Sequence, residues 1–333
     1  MIRYGILGFG HHGRRRLVPG FADAKESRLA GIWRRNIEKA ESDANEFGIE
    51  HAFSSAEELC SSPAIDAVFV TSPDAFHMRD TLLAFRHNKP VLCEKPLAMD
   101  AEEVRQMLAA SQKANLLFGV AQNFRYNRSV NLIRDWVQAG RVGKPIFASA
   151  HFYFQAGHSP RAWIYDPSLA RGGVMGDVGI HCIDALRFIL QDDVSAVTTI
   201  AASDVHSKDI DSNAVLTLDF ARGAIGSMMV SFRSAYRTLL EVVGEDGIVR
   251  CESGLTVDFP VDVLLLQGGK IIESQQVSNT DGYSRMLDGF SAAIEGHGSY
   301  AATGEDGLRN QLALDAGYAS WRSGRKEIVS GSR

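Results

Sequence analysis

The sequence predicts an α/β protein in two parts. The first is an N-terminal domain, doubly wound about a parallel sheet. The second is a C-terminal α+β domain with a large, mostly antiparallel, open-faced sheet. Three observations predict this. The chain has 333 residues, enough for two domains at about 100–200 residues each. Over its first third, short apolar runs alternate with helix-like segments, the pattern of parallel strands joined by helical crossovers. After about residue 121 the alternation gives way to strand-like segments separated by hairpin turns. The expected domains are residues 1–121 and 122–333.

Element by element, residues 2–7 form a strand and a glycine-punctuated turn leads into a helix. Strands follow at 28–33, 64–70, 90–94 and 116–121, and helices at 37–47, 76–87 and 101–115. The last of these helices carries Val104, Met107 and Leu108 on one face. In the second part, an amphipathic helix at 130–138 precedes a strand at 146–154 and a loop rich in Gly, Pro and aromatics. A helix at 176–190 leads to strand-like segments at 196–205, 214–220, 224–232, 239–251 and 261–277. Ala221-Arg222-Gly223, Glu245-Asp246-Gly247 and Gly268-Gly269-Lys270 supply turns, and helices at 284–295 and 305–322 close the chain.

Composition narrows the function. Hydrophobic residues are 45% and charged residues 23%, ordinary values for a globular protein. The net charge of -5 lacks the basic excess of a nucleic-acid binder. No stretch nears the roughly 20 apolar residues of a membrane span. Glycines at positions 5 and 8 interrupt the start before a leader's apolar core can form. Cys60, Cys93, Cys182 and Cys251 are far apart, so neither a disulfide framework nor a metal site is expected. The expectation is a cytoplasmic protein whose partner is a small molecule.

Gly8-Phe9-Gly10-His11-His12-Gly13 is GxGxxG between a strand and a helix. There, glycines allow a tight turn and close approach of a pyrophosphate, and the helix start supplies N–H groups and a positive dipole. An NAD site ordinarily has Asp or Glu at the end of the second strand. That place holds Arg34 and Arg35, whose forked donors suit a 2′-phosphate, so NADP(H) is favoured and NAD(H) is the alternative.

Thr71-Ser72-Pro73 with His77 follows the third strand, and Glu94-Lys95-Pro96 the fourth. Lys95 falls at the carboxyl end of the sheet, where open α/β sheets bind ligands. Asp177 and His181 are four apart, on one face if helical. An imidazole can exchange a hydroxyl proton near neutrality, a carboxylate can orient it, and an ammonium can bond the oxygen. Spacing alone equally allows a surface ion pair and an ordinary charged loop. Arg125, Tyr153, Arg161, Trp163 and Tyr283 are candidate substrate contacts, each of which packing could also explain.

Together, the glycine motif, Thr71-x-Pro73-x-x-x-His77, Glu94-Lys95-Pro96 and Gly172-Gly173-x-x-x-Asp177-x-Gly179-x-His181-x-x-Asp184 resemble the Gfo/Idh/MocA oxidoreductases. The resemblance implies hydride transfer between a nicotinamide and a carbinol or carbonyl carbon of a sugar, polyol or related compound. It implies Lys95, Asp177 and His181 as catalytic residues, and Thr71, Ser72, Pro73, His77, Glu94, Gln122 and again Lys95 around the cofactor. It also implies a homodimer or homotetramer formed through the C-terminal sheet. Arg171 before Gly172, Gly176 before Asp177, and Arg125-Tyr126-Asn127-Arg128 depart from the family pattern. Residues 91–97, 295–298 and 304–307 are most similar to the family's NADPH-dependent anhydrofructose reductases. Two alternatives stand beside this reading: a dinucleotide-sensing protein without catalysis, and a dehydrogenase of a non-sugar dihydrodiol.

Overall fold

The computed structural model describes residues 1–157, 161–204 and 209–331. They form two compact units, Met1–Gln122 with Tyr283–Leu308, and Asn123–Gly282 with Arg309–Arg333.

The first unit holds six parallel strands: β1 (Ile2–Leu7), β2 (Ser27–Trp33), β3 (His51–Phe53), β4 (Ala67–Val70), β5 (Val91–Cys93) and β6 (Phe118–Val120). Their order is β3-β2-β1-β4-β5-β6. The crossovers are α1 (Val18–Asp23), α2 (Ile37–Phe47), α3 (Ala56–Ser61), α4 (His77–Arg86) and α5 (Ala101–Ala114). Every residue of β4 and β5 is buried, as unbroken apolar runs in a doubly covered sheet require. Asn36, Ser55 and Asp100 cap α2, α3 and α5 by accepting from the N–H groups of Lys39, Glu58 and Glu103. The strand order reverses between β1 and β4, so the ligand crevice of such a sheet lies at their carboxyl ends.

In the second unit, α6 (Arg128–Gln138) precedes β7 (Pro145–Gln155), and α7 (Ile180–Leu190) precedes β8 (Val194–Ser203) and β9 (Asp211–Phe220). Then come β10 (Ile225–Ser231), β11 (Arg233–Gly244), β12 (Ile248–Glu252), β13 (Pro260–Gln267) and β14 (Lys270–Ser278). With β15 (Glu327–Ile328) they make one nine-stranded sheet, ordered β14-β13-β12-β11-β7-β10-β9-β8-β15. Its pairs are antiparallel except β7 with β10. The three expected turns join β9 to β10, β11 to β12 and β13 to β14. The expected strand end at Val205 lies outside the described residues; β8 ends at Ser203.

One side of this sheet is buried through Ala148, Ala150, Leu216, Leu218, Met228 and Val230. The other leaves Phe147, Ile200, Val215, Ile225 and Met229 exposed. Register makes these neighbours, pairing Phe147 with Ile225, Val215 with Met229, and Ile200 with Val215.

Two expectations change. Residues 51–61, to which the sequence assigns no element, hold β3 and α3. A three-residue strand is too short to show periodicity, although Ser55-x-x-Glu58 has the form of a capping box. The division at 121 also fails for one segment, because residues 283–308 return to the first unit. Helix α8 (Gly282–Ile294) places Ser291 Oγ 2.9 Å from Tyr4 Oη and 2.7 Å from Ser27 Oγ. The Asp288 carboxylate accepts from the N–H groups of Lys25 and Glu26. Val120 N–H donates to the Ala302 carbonyl at 2.9 Å. Helix α9 (Gly304–Ser323) begins with the first unit and continues in the second.

Candidate active site

Each glycine of the loop after β1 has a different environment. Gly8 adopts φ +86°, and a Cβ there would stand 2.5 Å from Ser72 N. Only glycine fits that turn. At Gly13 a Cβ would press on the Phe9 ring, at 2.8 Å. At Gly10, apart from its chain neighbours, the nearest atom to a Cβ is the Gly8 carbonyl oxygen at 3.6 Å, an ordinary contact, so the protein itself does not require glycine there. A pyrophosphate is what the second glycine of this motif admits, and a helix opens directly afterwards, at His11. The loop residues therefore fit a dinucleotide. Phe9 is a core side chain, its ring centroid 6.4 Å from that of Phe47, so only its backbone can face a ligand. His11 is exposed and His12 half-buried.

Beyond β2, Arg34 Nη1 donates to the buried Asp43 carboxylate of α2 at 2.5 Å. Arg14 bonds the same carboxylate and also Glu46. The Arg34 guanidinium is thus held in place with its remaining donors free to serve a ligand, while Arg35 is exposed.

The ends of β4 and β5 bring the next group together. Thr71 Oγ1 donates to the Gly8 carbonyl at 3.1 Å, fastening the glycine loop. Pro73 precedes the single turn Asp74–Phe76, and Ser72 is buried. Past β5, Glu94 Oε1 lies 3.0 Å from His12 Nε2. Burial opposes the Glu94 charge, yet His12, Lys95 and His77 outweigh it and hold the carboxyl below its ordinary range. Lys95 is half-buried, the Lys95–Pro96 peptide is cis, and Gln122 is buried.

In the second unit, Asp177 lies in a wide π-type turn, Met175–Gly179, that runs into α7. Such turns recur at functional sites. The Asp177 carboxylate is gripped bidentately by Arg161, at 3.1 and 2.8 Å. His181 is buried, its ring centroid 4.6 Å from that of Phe124.

The approach to this turn is anchored by Asp211, which sequence reading missed. Its two oxygens accept from Gly173 N–H and Met175 N–H at 2.7 Å each, and from Tyr318 Oη at 2.6 Å. Burial raises its pKa, while Tyr318 and the backbone donors pull the other way. No local pattern marks Asp211, since its partners lie 36 to 107 positions away. Gly176, a departure from the family pattern, has a steric reason: a Cβ there would stand 2.1 Å from the Arg171 carbonyl oxygen.

Three candidate substrate contacts have partners within the protein. Arg125 is buried and clamps Asp184 with Nε at 2.9 Å and Nη2 at 2.7 Å, while Asn310 donates to the same carboxylate at 2.6 Å. It completes an ion pair in the core. Arg161 is the partner of Asp177. Tyr283 belongs to the first unit, its Cβ beside Gly20 and its ring centroid 5.9 Å from that of His12. Tyr153, on β7, has its ring stacked on His151, and Trp163 is half-buried in the turn Ala162–Tyr165.

Residues 2–122 match the oxidoreductase family with an NAD-binding Rossmann fold, and residues 130–250 match the GFO/IDH/MocA C-terminal domain. The fold and these matches define an NAD(P)-dependent oxidoreductase acting on CH–OH or C=O groups. The chain is 32% identical to a 1,5-anhydro-D-fructose reductase of Ensifer adhaerens, over 92% of each chain. It is 27% identical to D-xylose 1-dehydrogenase (NADP(+)) 2 of Haloferax volcanii, over 96% of this chain and 98% of that one. Its fold is that of the aldose-aldose oxidoreductase from Caulobacter crescentus solved with glycerol. The TM-score is 0.89 at 24% identity, covering 98% of this chain and 99% of that one. The chain belongs to the Gfo/Idh/MocA family. No helix among the described residues is long and apolar enough to cross a membrane.

Proposed function

We propose that this protein is an NADP(H)-dependent reductase of a cyclic, polyhydroxylated carbonyl compound, with an anhydro-ketose as the first substrate to test. The observation that carries this reading is the likeness to 1,5-anhydro-D-fructose reductase, 32% identical over 92% of both chains. The NADP(H) preference is supported by Arg34 and Arg35 at the end of β2, where an NAD site ordinarily has a carboxylate.

The dinucleotide, when bound, supplies or receives a hydride at its nicotinamide ring. Lys95 donates a hydrogen bond to the reacting oxygen and favours the negative charge that grows there as the carbonyl carbon gains the hydride. His181 delivers the proton that completes the hydroxyl, and takes it back in the reverse direction. Asp177 orients the imidazole, with Arg161 fixing that carboxylate. Asp211 and Tyr318 hold the approach to the turn that carries Asp177 and runs into α7, which carries His181. Thr71, Ser72, Glu94 and Gln122 border the cofactor.

The second unit serves substrate binding and assembly, Tyr153 and Trp163 being the candidate contacts. The exposed apolar row on the nine-stranded sheet is the surface through which the protein forms a homodimer or homotetramer. Four unpaired, buried cysteines suit the cytoplasm.

The test is a screen of anhydro-ketoses, aldoses, polyols and dihydrodiols by NADPH absorbance. Lys95→Ala should lower turnover at least about a hundred-fold while leaving NADPH affinity near wild type. Unchanged turnover in that variant rejects the mechanism, and binding without turnover on any substrate favours a sensor. Arg34→Ala or Arg35→Ala should weaken NADPH more than NADH; equal affinity of the unmodified protein for both rejects the 2′-phosphate reading.

A further inference from the structure

His77 opens α4 and is 1% exposed. Its Nδ1 stands 2.9 Å from the Pro96 carbonyl oxygen, and its Nε2 stands 2.7 Å from the Ser72 carbonyl oxygen. Backbone carbonyls only accept. A neutral imidazole carries one N–H and one lone pair, so against two carbonyls one of its nitrogens would face oxygen lone pair to lone pair, away from water. Only the cation donates from both nitrogens. The groups around the ring agree with that state. Asp74 faces it from the turn before α4, Cys93 from the end of β5, and Glu94 from the residue beyond. Burial opposes the charge, but Cys93, Asp74 and the Pro96 carbonyl outweigh it and raise the imidazole to about 10.

We propose that His77 is a buried imidazolium whose two N–H bonds tie the loop after β4 to the loop after β5, and that it is thereby a positioning residue for Lys95. The two carbonyls belong to residues that matter. Pro96 directly follows Lys95, and Ser72 is the backbone against which Gly8 is pressed. A planar ring with donors on well-separated nitrogens holds two loops at a fixed spacing. Asn or Gln would offer both donors from a single nitrogen, and Lys would add three rotatable donors on a flexible stem. The sequence pattern places His77 against the cofactor; buried here, it acts on the site through backbone. Its charge also offsets part of that on Glu94, which faces His12 and Lys95 as well.

The positioning role rests on Lys95 serving the reaction, but the charge state does not, and the experiment separates them. In the NADPH complex of the wild-type protein with 15N-labelled histidine, both ring nitrogens of His77 should remain proton-bearing from about pH 6 to about pH 9, where an ordinary histidine loses its proton. A His77 ring that titrates near its ordinary value overturns the inference and leaves the Lys95 reading intact. His77→Gln should lower kcat about ten- to a hundred-fold, the scale of a small misplacement of a reacting group. NADPH affinity should move less than about three-fold. In the Lys95→Ala background the same substitution should change the residual turnover hardly at all, because two residues acting through one interaction are non-additive. A full kcat loss in that background overturns the positioning role, and unimpaired turnover of Lys95→Ala overturns it together with the proposed mechanism. Should His77→Gln fail to fold, the NMR measurement on the wild type still decides the charge.

Discussion

Arg125 separates what its sequence context suggests from what its surroundings do. Arg125→Met removes a guanidinium that grips Asp184 through Nε and Nη2, where both side chains are almost entirely shut off from water. The carboxylate would keep Asn310 Nδ2 at 2.6 Å and nothing of comparable charge from position 125. Breaking a buried pair by deleting one partner costs about 3–5 kcal/mol. For a unit of this size each kcal/mol lowers Tm by roughly 2–4 °C, so the expected loss is about 6–20 °C. Circular dichroism during heating reads that loss, and steady-state kinetics on the surviving folded enzyme should return a substrate KM near wild type. The charge-free double variant Arg125→Met/Asp184→Leu should recover much of the stability, because an apolar pair can replace a buried ion pair at little penalty. An unchanged Tm with a raised KM would refute the reasoning and return Arg125 to the substrate.

Three further outcomes are expected. Gly10→Ala should fold as well as wild type, since apart from its chain neighbours no protein atom lies closer than 3.6 Å to a Cβ there. Its NAD(P)H affinity should fall at least about ten-fold if the second glycine of the motif admits the pyrophosphate as proposed; calorimetric titration checks this. Asp211→Asn exchanges one acceptor oxygen for a donor facing the N–H groups of Gly173 and Met175 or the Tyr318 hydroxyl. Urea unfolding should show about 1–3 kcal/mol lost, the penalty of an unsatisfied buried group, together with a lower kcat. Stability should also depend on His77. Its folded value, about 10, exceeds the ordinary 6.5, so its contribution is full below 6.5 and is lost as pH rises through about 10. Unfolding measured between about pH 7 and pH 10.5 should show a loss in wild type that His77→Gln does not share.

The parts of the fold legible in sequence were those with local physical signals. β1 and β4 announce themselves as short apolar runs, and the glycine loop by its spacing between a strand and a helix. Gly-containing turns mark the hairpins between β9 and β14. The return of residues 283–308 carried no such signal, because what binds Asp288 and Ser291 is the far end of the chain, 261 or more positions away. The same holds at the site. Arg125 and Asp184 are 59 residues apart, and an Arg in an aromatic-rich stretch looks the same in sequence whether it meets a sugar or a buried carboxylate. Arg161 and Asp177 are closer, at 16 residues, yet a loop joins them with no period to read. Gly176 stands out in sequence only as a departure, and its reason, the carbonyl of Arg171, is visible only once the turn is folded.

The late return of the chain to its first unit has a consequence for how the protein is made. A nascent chain that has just released residue 122 from the ribosome possesses all six parallel strands. It does not yet possess the partners of Tyr4, Ser27 and the backbone at Lys25 and Glu26, which are encoded 261 or more codons downstream. At about 5–20 residues per second, translation leaves that surface uncovered for roughly ten to thirty-five seconds. During that interval a half-finished nucleotide fold presents polar groups and apolar side chains to solvent, so chaperone occupancy should peak there and fall once α8 emerges.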